Sequence, residues 1–209
     1  MVNLKTCLKE PIHEIFEAAR LLSNAVNFHL SGDIEQARAL IIKANQPRIS
    51  EWTESLWGSK GIYSELVKTH GTPGVLPTEL RDKKRMPSKR EERILLKRDG
   101  YYCRFCGIPV IRKETRNFLT RLYPDAIPWG KTNTEQHAAF QAMWVQFDHL
   151  VPHARGGKTE LDNLVITCSP CNYGRMNFLL DEINLQLPPI KIRNARNWDG
   201  LERIFTSNH

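Results

Sequence analysis

Four of the five cysteines fall in two identical frames, Cys103-Arg104-Phe105-Cys106 and Cys168-Ser169-Pro170-Cys171. A two-residue gap lets both sulfurs of one turn face a single ion. Two such turns supply the four thiolates that tetrahedral zinc accepts in a structural site. A redox pair or coincidence could explain one frame, but two independent frames point to zinc. The 61 residues between the frames (107–167) exceed what a compact finger needs, so a folded insertion has to lie between them. Any fold must therefore bring residues 103–106 against residues 168–171. Cys7 stands alone and is expected to pack or lie exposed without a role.

At 209 residues, 41% hydrophobic and 25% charged, the chain has a globular composition and enough length for one large domain or two small ones. No apolar run approaches the roughly 18 residues of a membrane span. The first twenty residues lack the basic start and apolar stretch of a secretory leader. A cytoplasmic protein without a membrane partner is expected, where reduced cysteines favour metal binding over disulfides. The net charge of +7 is unevenly placed. Residues 81–121 carry 14 basic and 5 acidic side chains, a net of +9, while the segments on either side each carry −1. Such a block is either a solvated helix face or a grip for a polyanion.

Apolar residues at three- and four-residue steps from Ile12 to Leu30 predict an amphipathic helix. Asp33 is placed to cap a second helix running to Ala44, and Pro47 follows it. A short third helix is expected around 49–57. The segment 58–77, rich in Gly, Pro, Ser and Thr, reads as linker or loop. A basic helix is expected at 88–98, a tight hairpin at 101–112, and helical patches at 113–122 and 133–143. Strands are expected at 144–151 and 163–167, a helix at 172–181, and a short helix capped by Asp199. The expected organisation is an N-terminal helical region at 1–57, a basic linker at 58–87, a zinc-bearing domain at 88–185 and a tail at 186–209. The five tryptophans, Trp57 and Trp144 among them, are expected to pack cores rather than stack on bases.

Between the cysteine frames stands Asp148-His149-Leu150-Val151-Pro152-His153-Ala154-Arg155-Gly156-Gly157, followed by Asp162-Asn163-Leu164 and then Asn172. A phosphodiester repels nucleophiles and has a poor leaving group, so its hydrolysis calls for a divalent cation and a base for water. Asp148 offers a hard carboxylate and Asn172 an amide oxygen, both suited to Mg²⁺ or Mn²⁺. His149 is a usable base near neutral pH. On a regular strand Asp148 and His149 face opposite sides, so a twist or bulge is needed for both to address one phosphate.

The string from Asp148 to Asn172, with both cysteine frames, resembles the core of HNH endonucleases of the ββα-metal fold, in the subgroup with a four-cysteine zinc site. The resemblance covers roughly 95–180 and includes the lead-in Arg98-Asp99-Gly100-Tyr101-Tyr102-Cys103. It implies an α+β chain in which a hairpin and a following helix lie between the halves of the zinc site, preceded here by the helical hairpin. It further implies that Asp148 and Asn172 are ligands of a catalytic Mg²⁺ or Mn²⁺, and that His149 is the general base. Asn163 would tie the hairpin loop and help orient His149. The last position is Asn here rather than His, a variant the family tolerates.

The implied activity is metal-dependent hydrolysis of DNA, double-stranded first of all, leaving 5′-phosphate and 3′-hydroxyl ends. Restriction or anti-phage defence is the expected setting. Arg93, Lys97, Arg104, His153, Arg155 and Arg175 are the candidate nucleic-acid contacts; the N-terminal helices are the candidate surface for a protein partner or a second copy. Rival readings stay open: a non-catalytic zinc module that binds nucleic acid, an RNA-cleaving toxin on the same scaffold, or the nuclease subunit of a larger assembly.

Overall fold

The computed structural model describes residues 5–189 and 198–206. Helix α1 (His13–Leu30) and α2 (Ile34–Ala44) form the expected hairpin, and the Asp33 carboxylate accepts from the Gln36 amide at 3.1 Å. Ile15, Ala19, Leu22 and Val26 are buried along α1 as their spacing predicts, joined by Ala18, Leu21 and Ala25. Helix α3 (Pro47–Trp57) starts on its proline, whose missing N–H costs nothing in a first turn.

The stretch expected as linker or loop contains a helix, α4 (Ile62–His70), set between Gly61 and the left-handed Gly71. Its interior consists of helix-tolerant residues; glycine and proline cluster only at the borders, and those borders dominated the reading of composition. The helix buries no residue fully, which explains its weak apolar signal.

Helix α5 (Lys89–Asp99) opens with a complete capping box: Ser88 accepts from the Glu91 amide, and Glu91 accepts from the Ser88 amide. Helix α6 (Lys113–Leu122) lies as expected. The helix expected at 133–143 is split into a single 3₁₀ turn at Asn133–Glu135 and the short α7 (Ala138–Ala142). The split falls at Gln136 and His137, which are extended, with the His137 amide donating to the Pro128 carbonyl instead of continuing the helix.

Strands β1 (Val145–His149) and β2 (Leu164–Cys168) pair antiparallel, with Asp148 opposite Val165 and His149 opposite Leu164. Helix α8 (Ser169–Arg175) follows β2 directly, three residues earlier than expected, because Pro170 initiates it. Met176, at φ 50°, ends it. Asp199 accepts from the Leu201 and Arg203 amides at the start of the last 3₁₀ turn, as predicted. Part of the predicted tail, residues 190–197, lies outside the described residues.

The N-terminal helices share their core with the zinc-bearing half. α3 packs on both α7 and α8, and α1 packs on α7. His137 belongs to this seam: it is fully buried, its Nε2–H donates to the Ile41 carbonyl at 3.0 Å, and Nδ1 has no partner among the described residues.

Burial pushes the His137 imidazole down to about 4, below the roughly 6.5 of an unfolded histidine. Between these values the unfolded chain takes up a proton that the native chain refuses, so stability falls as pH drops through that window. Denaturant unfolding at pH 7 and pH 4.5 should show a loss of about 2 kcal/mol from this site. His137→Gln, which can still donate to Ile41, should flatten the dependence by a comparable amount.

Candidate active site

The two cysteine frames meet. The Sγ atoms of Cys103, Cys106, Cys168 and Cys171 all lie within 4.8 Å of one another, and those of Cys106 and Cys168 are 3.7 Å apart. Zinc–sulfur bonds of about 2.3 Å in a tetrahedron put sulfurs roughly 3.8 Å apart, so the cluster fits a structural zinc ion. Gly107 adopts φ 77° directly after the first turn, which lets its amide fold back onto the Cys103 carbonyl at 2.9 Å. Cys7 lies outside the cluster, buried, with its thiol donating to Glu10 and pushed up to about 12 by burial.

A buried carboxylate locks the first turn to the sheet. Asp99 accepts two hydrogen bonds from Arg98, one from Arg104 and one from the Ile166 amide of β2. Arg98 also reaches the carbonyls of Leu161 and Leu164. These arginines hold together the lead-in to the first cysteine frame. Arg104, expected on nucleic acid, is therefore engaged within the protein, its second arm on the Pro188 carbonyl.

Asp148, His149 and Asn172 line one cavity of about 750 Å³, together with His153. The first two come from β1 and the third from α8, immediately after the zinc-ligand position Cys171. Asp148 is buried and paired with Arg175, whose Nη2 lies 2.7 Å from Oδ1 and whose Nε lies 3.3 Å from Oδ2. Burial pushes this carboxyl above the usual range, and the guanidinium opposes that push. Each carboxylate oxygen has two lone-pair directions, so pairing with Arg175 leaves acceptor capacity on Asp148. Arg175 itself is 1% exposed and also donates to the carbonyls of His149, Leu150 and Phe178. Expected as a nucleic-acid contact, it is instead a buried clamp. Its position one turn after Asn172 places it near the site, but the side chain turns into the core.

The Nε2 of His149 lies 2.9 Å from the Thr159 hydroxyl, which donates its one hydrogen to the Lys84 carbonyl at 2.5 Å. With that hydrogen committed, Thr159 accepts from His149 Nε2–H, which leaves Nδ1 with the basic lone pair. Burial first, then the nearby His153, Arg175 and Arg85, lower the imidazole to about 4, so it is neutral at pH 7. Sequence reasoning missed both Thr159 and Lys84; a threonine in a turn and a backbone carbonyl 75 residues away carry no motif.

Asn163 staples the hairpin loop. Its Oδ1 accepts from the Val151 amide, and Nδ2 donates to the carbonyls of Val151 and Lys158. Gly156, at φ 91°, provides the left-handed turn, and a Cβ on Gly157 would lie 1.8 Å from the Val151 carbonyl oxygen.

Among the other candidate contacts, Arg93 and Lys97 stand exposed on α5. Arg155 is paired with Glu182 at 2.5 Å, and His153 Nε2–H donates to the Asp82 carbonyl at 2.7 Å. Arg81, Lys83 and Arg85, which sequence reasoning placed in the basic block but not at the site, line the cavity wall opposite β1.

Residues 136–177 match the family model described as HNH endonuclease. That segment is an HNH endonuclease domain. No significant match exists among curated proteins or solved structures. The HNH match spans α7, both strands and α8, so the hairpin, the second cysteine frame and all three cavity-lining candidates fall inside it. The family assigns the domain to nucleases, with nucleic acid as substrate. Among the described residues no helix is long and apolar enough to cross a membrane.

Two changes test the frame of the site. Cys171→Ser should lower the bound zinc well below about one per chain and reduce the melting temperature, read by elemental analysis and calorimetry. Gly157→Ala should destabilise the protein by more than about 1 kcal/mol in denaturant unfolding, because the loop must shift to relieve the contact with Val151.

Proposed function

We propose that the protein is a metal-dependent endonuclease that hydrolyses DNA. The observation that carries this reading is the convergence of Asp148, His149 and Asn172 on one cavity inside an HNH domain, with His149 neutral and tautomerically fixed. Asp148 and Asn172 would hold Mg²⁺ or Mn²⁺, which supplies Lewis-acid stabilisation of charge at the phosphate and the leaving oxygen. His149 accepts a proton from water on Nδ1. The water oxygen then attacks phosphorus, the P–O3′ bond breaks, and the departing 3′-oxygen takes a proton from solvent while His149 returns its own to solvent, leaving 5′-phosphate and 3′-hydroxyl ends. Thr159 holds the imidazole in the required tautomer. Asn163 fixes the loop behind it.

Lys83 and Arg85 face the cavity and supply positive charge where a phosphate backbone would enter. Arg93 and Lys97, exposed on α5, extend the proposed contacts. Such contacts position the strand without reading sequence and make affinity fall with salt. Double-stranded DNA is the proposed substrate; side-by-side digestion of RNA tests the alternative. The exposed Phe16, Ile34 and Ile42 on the α1–α2 hairpin support a protein partner or second copy there. A monomeric mass by light scattering would remove the second copy. Restriction or anti-phage defence is the proposed setting, and phage plating on cells carrying active or His149→Ala protein tests it.

Purified protein should convert supercoiled plasmid to nicked or linear forms with Mg²⁺ or Mn²⁺ and not with EDTA. His149→Ala should lower the rate by about 10² to 10⁴ while DNA binding persists. An undiminished rate would remove His149 from the mechanism. Thr159→Val should reduce kcat with little change in KM, and Thr159→Ser, which keeps the hydroxyl, should restore most of it. Equal loss in both variants would show that the hydroxyl does not act on His149.

A further inference from the structure

A second cavity, of about 450 Å³, adjoins the first and shares Tyr173 and Met176 with it. Its lining is aromatic: Trp57 from α3, Tyr63 from α4, Trp144 before β1 and Tyr173 from α8. Trp57 and Tyr173 meet edge to face, with ring centroids 5.2 Å apart. The amide side chains of Asn133 and Gln136 stand at its margin.

Tyr63 packs against the core, whereas the other three rings are only partly covered. Tyr173 is 37% exposed, and Trp57 and Trp144 are half-buried, in contrast to Trp52 and Trp198, which are buried. Trp144 packs edge to face on Trp129 and beneath the Arg116 guanidinium, and Trp57 donates to Glu54, so each ring is covered on part of its surface only. Tyr173 directly follows Asn172, so the aromatic surface begins one residue from the proposed metal ligand. No Lys or Arg lines this cavity, whereas the neighbouring one is lined by Arg81, Lys83 and Arg85, together with Glu79 and Asp82. Cations beside the cavity at His149 and π-surface in the adjoining one match the two parts of a nucleotide, a charged phosphate and a flat ring with polar edges.

We infer that this second cavity receives an unstacked nucleobase of the strand whose phosphate lies at His149. Stacking on an aromatic side chain requires the base to leave the duplex stack, so the cavity selects duplexes that are locally opened next to the cut. Asn133 and Gln136 also line the cavity, but their amides are engaged with Glu54, Gly130 and Gln141, so recognition there rests on stacking rather than on hydrogen bonds to the base edge. This inference rests on the nuclease reading and adds the conformation of the strand that the site accepts.

The test uses full-length His149→Ala protein without added Mg²⁺, so that binding is read apart from cutting. Fluorescence anisotropy compares a short single-stranded oligonucleotide with an abasic strand of equal length and charge. The intact strand should bind about tenfold more tightly, corresponding to stacking of one base, and should quench tryptophan emission. Tyr173→Ala, at an exposed position, should close most of the gap; Trp57→Phe, which keeps an aromatic face, should retain it. Equal affinity for both strands, with the abasic strand still held in a salt-dependent way, would overturn the base site and leave the nuclease reading standing. A gap that survives both Tyr173→Ala and Trp57→Ala would also overturn it. Failure of both strands to bind while a duplex of the same sequence is held would overturn the base site alone; failure of the duplex as well would remove both readings.

Discussion

Four cysteine sulfurs within 4.8 Å of one another form an arrangement that repels itself once the thiols ionise, and a divalent cation between them reverses that balance. The remaining geometry follows from where this knot is tied. It joins the turn after α5 to the junction of β2 and α8, so the intervening residues have to leave and return to the same point. The hairpin is the return path. Because Cys168 ends β2 and Cys171 lies within α8, the knot sets the position of the strand and the helix together. Asn172 is displaced from the metal-ligand position by one residue and inherits its placement. Asp99 reinforces the knot by joining Arg98 and Arg104 to the backbone of β2.

The second constraint is electrostatic. Asp148 is buried beside Arg175, and a buried pair of this kind costs much in desolvation while adding little net stability. Its value here is positional. Arg175 spans the carboxylate of Asp148 and three backbone carbonyls around the end of β1, so the strand end, the turn after it and α8 are held as one piece. That clamp answers the difficulty posed by adjacent Asp148 and His149. Both line the same cavity, Asp148 held by Arg175 and His149 by Thr159.

Legibility followed the range of the interactions. Cysteine spacing and the Asp33 cap are local and could be read directly. Asn163 could be read because its role is confined to a loop closed within twelve residues. Arg175 could not, since spacing along a helix gives direction only when the helix axis is known, and the side chain turned inward. Thr159 was invisible because its meaning depends on Lys84, a residue brought close only by tertiary folding. The same holds for the basic block: sequence gives its sum, while folding turns Arg98 and Arg104 onto Asp99 and leaves Lys83 and Arg85 at the cavity.

The region before the HNH match therefore contributes more than a neutral appendage would. The carbonyls of Lys84 and Asp82 set the two histidines of the cavity, and the Leu76 amide donates to the Ala154 carbonyl, joining this segment to the loop after His153. α3 and α4 supply Trp57 and Tyr63 to the neighbouring aromatic cavity. The cavity at the hairpin, beside the four-cysteine cluster, is in this way lined partly by residues outside the matched segment. The matched core holds the candidate reacting groups, and the N-terminal half shapes what can approach them.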